Sequence, residues 1–152
     1  MNIEEAKMLA EDGDMDALYY LGRNHLTGES IEKNSEKAIK YFEEAANKNH
    51  QMALWELGVI YHYGHHAKRD LNKAFDYIAK SADLGYAPAA LQAGIYLQSF
   101  LDDPNFQGNR IAAVQKMIEW WQFSSSHGLP ESDYNLGLLY HYGNHVQQDY
   151  IK

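Results

Sequence analysis

The chain has 152 residues, 45% of them hydrophobic and 22% charged, with a formal net charge of −8 and no cysteine. That length suits one compact domain or one short repeat array, and the composition is too apolar for a disordered chain. The missing cysteines exclude disulfides, thiolate metal sites and thiol nucleophiles. The acidic balance argues against nucleic acid, whose phosphates need clustered Lys and Arg, and favours a basic protein partner.

In chain order, residues 2–13 read as a leading cap helix closed by Gly13. Residues 14–50 carry Ala17, Tyr19, Leu21-Gly22, Gly28, Asn34, Lys37-Ala38, Tyr41, Ala45-Ala46 and Asn49. The same series returns over residues 51–86 as Ala53, Trp55, Leu57-Gly58, Gly64, Asp70, Lys73-Ala74, Tyr77, Ser81-Ala82 and Gly85. Residues 87–129 repeat it a third time, with Ala89, Leu91, Ala93-Gly94, Phe100, Lys116-Met117, Trp120, Ser124-Ser125 and Gly128. Seven extra residues, 101–107, are read there as a loop insertion, in which Asp103 before Pro104 would cap a short turn and Phe100 and Phe106 would pack down. Residues 130–152 begin a fourth copy with Ser132, Tyr134, Leu136-Gly137 and Gly143, and Asp149 stands where a second helix would start. The anchor glycines 22, 58, 94 and 137 are 36, 36 and 43 residues apart.

Each copy reads as a helical hairpin. In residues 52–63, Ala53, Leu57, Ile60 and Tyr61 recur at three- and four-residue spacing, one apolar stripe of a helix. Gly64 stops it, because glycine enters the left-handed region without a Cβ clash. Asp70 then offers a carboxylate to the free N–H groups of a second helix. Ala74, Tyr77, Ile78, Ser81 and Ala82 form that helix's stripe. The glycine inside each first helix costs up to about 1 kcal/mol against alanine. Close approach of the partner helix, with small Ala45, Ala46 and Ala82 nearby, is the expected reason. Neither stripe is buried by one hairpin alone, so successive hairpins stack.

The series small residue, Leu-Gly, aromatic, Gly, amide or acid cap, Lys-Ala, aromatic, Ala-Ala, Gly resembles the Sel1-like repeat, a relative of the tetratricopeptide repeat. The resemblance is specific in the first two copies and weaker in the third, where Phe100 replaces the second glycine. It implies an all-α, right-handed α-solenoid of stacked antiparallel hairpins forming a single domain over residues 1–152. It also implies a concave face of first helices that binds proteins or peptides, as in adaptors and in small bacterial immunity proteins that neutralise a toxin.

Within the first helices, some positions change chemistry between copies and are not fixed by the packing common to all. The partner-binding candidates among them are Tyr20 and Arg23, then Glu56, Val59 and His62, then Gln92 and Ile95, and finally Asn135, Leu138 and His141. The same positions also fit core residues of irregular copies. The stripe Leu136, Leu139 and Tyr140 lacks a second helix of its own. A cut chain, a second copy forming a homodimer, or residues 146–152 folded across it would each explain that.

No catalytic residue, metal ligand or cofactor is expected. His62, His65 and His66 are close in sequence, but Gly64 breaks the helix between them and turns the side chains apart. Ser30 and Lys33 match a Ser-x-x-Lys spacing without companion motifs, in a polar inter-helix loop. No apolar run approaches the roughly 20 residues of a membrane span. The acidic start Met1-Asn2-Ile3-Glu4-Glu5 is unlike a secretory signal, so a cytoplasmic protein is expected.

Overall fold

The structure is a computed structural model that describes residues 1–143 and residue 145. Asp149 and the segment 146–152 lie outside the described residues. Among the described residues there are eight α-helices and no strand. They are α1 (Ile3–Glu11), α2 (Met15–Thr27), α3 (Ser35–Asn47), α4 (Gln51–Tyr63), α5 (Leu71–Asp83), α6 (Ala87–Asp102), α7 (Arg110–Ser126) and α8 (Pro130–Tyr142).

The boundaries follow the expected caps. Asn34 and Asp70 accept hydrogen bonds from the N–H groups of Lys37 and Lys73 at 2.9 and 3.0 Å. Gly64 ends α4 at φ +74°, its N–H donating to the Ile60 carbonyl at 3.0 Å. His50 caps α4 with a ring: the Ala53 N–H donates to Nδ1 at 3.1 Å. That leaves the proton on Nε2, which donates to Asp16 Oδ1 at 3.1 Å.

The chain divides into two compact units, Met1–Leu84 and Gly85–Lys152. In the first, α2 packs on α3 and α4 on α5 as hairpins, while α1 packs on α2 and α3 on α4. Its core holds Leu18, Leu21, Phe42, Leu57 and Ile78 among fully buried alanines. In the second, α6 pairs with α7, and α7 also packs on α8, around Leu101, Met117, Trp121 and Leu139.

The anchor glycines admit a large side chain rather than small neighbours, which corrects the alanine expectation. A Cβ on Gly22 would lie 2.6 Å from Phe42 Cε1, one on Gly58 would overlap Ile78 Cγ1, and one on Gly94 would overlap the indole nitrogen of Trp121. Phe42 and Ile78 each stand 20 residues after their glycine, and Trp121 stands 27 after its own. Each knob is 1% exposed or less, worth roughly 1.5–3 kcal/mol of burial apiece.

The seven extra residues of the third copy are not a loop insertion. Loops 28–34, 64–70 and 103–109 are of equal length. Instead α6, with 16 residues, is three longer than α2 and α4, and α7, with 17, is four longer than α3 and α5. Phe100 cannot take the left-handed turn that Gly28 and Gly64 take, so α6 runs on. It stops at Asp102 because Asp103 precedes Pro104, whose ring pushes the preceding residue to extended backbone; Asp103 has ψ 119°. Leu101, placed in the loop by sequence, is therefore core at 2% exposure. Asp103 caps a short turn, its side chain accepting from the Asn105 N–H at 2.8 Å and its carbonyl from the Phe106 N–H at 3.1 Å. Phe100 and Phe106 are half-buried.

Candidate protein-binding face

Four steps along each first helix show how the fold separates core from surface. The residue before each of the first three anchor glycines (Leu21, Leu57, Ala93) is buried, and so is the residue two after each of the four glycines (Asn24, Ile60, Tyr96, Leu139). The positions between and beside them carry the sequence candidates. Tyr20, Glu56, Val59, His62, Gln92, Asn135 and Leu138 are half-buried, and Arg23, Ile95 and His141 are exposed. None of the ten is among the fully buried residues, whereas Leu18, Leu54 and Ala90, at another first-helix position that varies between copies, are core.

In the first unit the fold joins two of the candidates. Arg23 Nη1 on α2 donates to Glu56 Oε1 on α4 at 2.6 Å, with side-chain exposures of 47% and 13%. The hydrogen bond and charge of Glu56 hold the Arg23 guanidinium above its ordinary value, against partial burial. This bridge links two first helices, with half-buried Tyr20 three residues before Arg23 on α2 and half-buried Val59 three after Glu56 on α4. His62 sits edge-on to Tyr63, ring centroids 4.7 Å apart. In the second unit, Ile95 is an exposed aliphatic group on α6, while Asn135, Leu138 and His141 follow one another along α8. His141 lies edge-on to Tyr142 at 4.8 Å, as His62 does to Tyr63.

The first unit also holds a second polar array, between α4 and α5, that the sequence does not single out. Lys73 Nζ donates to Tyr61 Oη at 2.9 Å and Tyr61 stacks on Tyr77 at 5.9 Å. The hydrogen bond to Tyr61 raises the Lys73 ammonium, and burial raises the Tyr77 phenol. The signal was present: Lys37/Tyr41 and Lys116/Trp120 repeat the Lys–aromatic spacing of four. His25 stacks on Tyr41 at 5.7 Å, the counterpart of Tyr61 on Tyr77.

The histidines of the second copy point apart. His66 Nδ1 meets Ser35 Oγ at 2.9 Å, while His65 stacks on Tyr63 at 5.9 Å. Among the described residues no group of three or more His, Asp or Glu is placed to hold a metal ion. Ser30 and Lys33 are exposed in the loop between α2 and α3. Among the described residues no helix is long and apolar enough to cross a membrane.

Comparison with known proteins agrees with this architecture. The Sel1 repeat family matches residues 16–50, 51–86 and 130–152, and the stretch 87–129 between them forms the same hairpin in its lengthened version. A sel1-like repeat-containing protein, L21, of Acanthamoeba polyphaga mimivirus is 27% identical over 143 residues, covering 94% of this chain and 24% of that protein. An exopolysaccharide production negative regulator of Rhizobium leguminosarum bv. viciae is 25% identical over 111 residues, covering 68% of this chain and 42% of that one. The chain thus spans less than half the length of either relative. Among solved structures, a protective antigen present in uropathogenic Escherichia coli strains, displaying an SLR fold, superposes with a TM-score of 0.81 at 23% identity, covering 99% of this chain and 31% of that one. A Sel1 repeat protein from Oxalobacter formigenes gives 0.75 at 25% identity, covering 98% and 58%. Sel1 repeat proteins are generally protein-interaction modules, and theirs is a scaffold fold rather than typically an enzymatic one. With hairpins, caps and glycine sockets in common register and the family matched over more than half its length, this chain belongs to the Sel1 repeat family.

Proposed function

We propose that this chain is a protein-binding module whose first-helix face holds a partner protein or peptide. One observation carries the reading: the ten candidates, at three repeat positions that change chemistry from copy to copy, are all half-buried or exposed, on a framework of caps and glycine sockets that recurs. A framework that repeats while its surface varies is what a binding array requires. In the first unit Arg23, held by Glu56, supplies a fixed donor fork, with Tyr20 and Val59 for apolar contact; in the second, Ile95 and Leu138 supply apolar contact, and Gln92 and Asn135 supply amides. Aromatic and Arg anchors ringed by hydrogen-bonding groups are typical of interface hot spots.

The net charge of −8 supports a basic partner, because complementary fields speed encounter. The narrower version is an immunity protein that neutralises one basic toxin, supported by the acidic charge. Affinity purification of the chain from its native host at low salt tests both. A single basic protein, retained by the parent and lost with Tyr20→Ala/Val59→Ala, would support the narrow version. Many partners lost with the same variant would support the general one. Partners retained equally by parent and variant would remove the first-helix face from the site.

A further inference from the structure

The first unit carries a cleft of about 890 Å³ that shares no residue with the ten first-helix candidates. Helices α1 and α3 line its sides, α2 supplies its floor, and the α2–α3 loop adds Ile31 and Glu32. Fully buried Leu18 and half-buried Ile31, Tyr41 and His25 give it an apolar and aromatic lining. The volume is that of a small-molecule site, about 300–1,000 Å³.

The charges of the cleft are sorted by position. Lys37 and Lys40, one turn apart in the first half of α3, line one end. Glu44 and Glu11, in the C-terminal halves of α3 and α1, line the other. Among the described residues none of these four side chains makes an ion pair or a hydrogen bond of its own. Lys7 also lines the cleft but is engaged by Glu4 at 2.7 Å. Glu32 offsets one of the two ammonium groups beside it, so their end stays net basic. Its carbonyl accepts from His25 Nδ1 at 3.1 Å, which leaves Nε2 of the neutral ring as an acceptor.

The repeat itself does not demand this arrangement. In the second copy the same positions carry Lys73, Asp76 and Lys80 on α5, and Tyr61 on α4 where the first copy has His25. There the first lysine is already taken up, donating to Tyr61 Oη at 2.9 Å. The two-lysine end and the carboxylate end are therefore particular to the first copy.

We propose that this cleft binds a short zwitterionic peptide, its C-terminal carboxylate on Lys37 and Lys40 and its N-terminal ammonium on Glu44 and Glu11. Lys37 and Glu44 are seven residues apart on one helix, about 10.5 Å at roughly 1.5 Å per residue. An extended tripeptide spans about 10 Å. Its body lies over Leu18 and Tyr41, with one N–H donating to His25 Nε2. The site goes beyond the first-helix reading, and its test is separate.

Isothermal titration of the full chain with Ala-Leu-Ala bearing free termini should show binding at a single site. Amidating the C-terminus or acetylating the N-terminus should each weaken it at least about tenfold, the loss of one charge-assisted contact. In Lys37→Gln/Lys40→Gln the amide should have no further effect, and in Glu11→Gln/Glu44→Gln the acetyl group should have none. Lys73→Gln, at the equivalent position of the second copy, should bind as the parent does. The four substituted cleft side chains are exposed, so circular dichroism should be unchanged. A pentapeptide with free termini should bind more weakly, because its ends overrun the charged groups. No binding of the free tripeptide at millimolar concentration, equal binding of free and blocked peptides, blocking effects undiminished in both charge variants, or tighter binding with every added residue would each overturn the proposal.

Discussion

Gly94 on α6 lies against the indole of Trp121 on α7, and Trp121 Nε1 donates to the Leu91 carbonyl one turn away at 3.2 Å. The ring is fully buried, and the only helix surface it can lie on is one without a side chain. Gly22 under Phe42 and Gly58 under Ile78 repeat the arrangement with different knobs. A helix-interior glycine sacrifices about 0.5–1 kcal/mol, and burial of a whole Phe, Ile or Trp side chain more than offsets it.

That relationship predicts opposite outcomes for one substitution at two equivalent positions. Gly58→Ala drives a methyl into Ile78 Cγ1, whose χ1 rotation is restricted by β-branching and full burial, and overpacking of this kind costs about 1–3 kcal/mol. Gly137→Ala meets nothing among the described residues and gains helix propensity, about 0.5–1 kcal/mol. Urea unfolding at low protein concentration should therefore move the midpoint down for the first and up for the second. Equal effects at both sites would mean that the sockets do not govern the choice of glycine.

Arg23 and Glu56 give a prediction about the candidate face itself. Removing either side chain breaks a 2.6 Å bridge between first helices of successive copies. With Arg23 47% exposed, the coupling from a double-mutant cycle should be about 0.5–1 kcal/mol. It should shrink as salt is raised towards 1 M, where screening reaches about 3 Å. A coupling independent of salt would show that packing, rather than charge, joins the two helices.

Much of this was legible in the sequence because caps and glycines act locally. Asn34, Asp70 and Gly64 fix their helix ends from their own chemistry. The third copy was read differently for an equally local reason: the alignment located seven extra residues but not which backbone would absorb them. Phe100 and Pro104 together carried the answer, the one unable to stop a helix and the other obliged to end it. Ile78 lies in the stripe read from the sequence, but Phe42 and Trp121 do not stand out there, because Tyr41 and Trp120 carry the repeat's aromatic position. Phe42 and Trp121, one position on, face the glycines, and a single residue on a helix turns a side chain by about 100°. The candidate positions could be separated from the core only by knowing which helix faces are covered, and that is a tertiary fact.

Ser124 and Ser132 occupy places where other copies carry alanine at Ala45, Ala17, Ala53 and Ala89. Both are fully buried, and among the described residues neither hydroxyl has a hydrogen-bond partner. Ser81, in the same place as Ser124, differs because its Oγ donates to the Gln51 carbonyl at 2.7 Å. An unsatisfied buried hydroxyl costs about 1–3 kcal/mol. Ser132→Ala should therefore stabilise the chain by roughly 1 kcal/mol, whereas Ser81→Ala should destabilise it by leaving a carbonyl unpaired. Thermal unfolding of the two variants checks the sign of each. A loss of stability in Ser132→Ala would show that its hydroxyl is satisfied after all.

The Lys73–Tyr61–Tyr77 array predicts the alkaline limb of the stability curve. Lys73 is raised from 10.5 by donating to Tyr61, and Tyr77 is raised from 10.0 by burial. Both groups hold their protons more tightly in the folded chain than in the unfolded one. Their contribution is therefore complete below the unfolded values and is lost as pH rises through the raised folded ones. The melting temperature should owe no slope to these two groups through neutral pH and should fall once pH passes about 10. Tyr77→Phe keeps the ring and removes the titrating phenol, so its decline should be shallower than that of the parent. Lys73→Met should flatten it further while abolishing the hydrogen bond to Tyr61. An alkaline limb identical in parent and both variants would place its cause elsewhere in the chain.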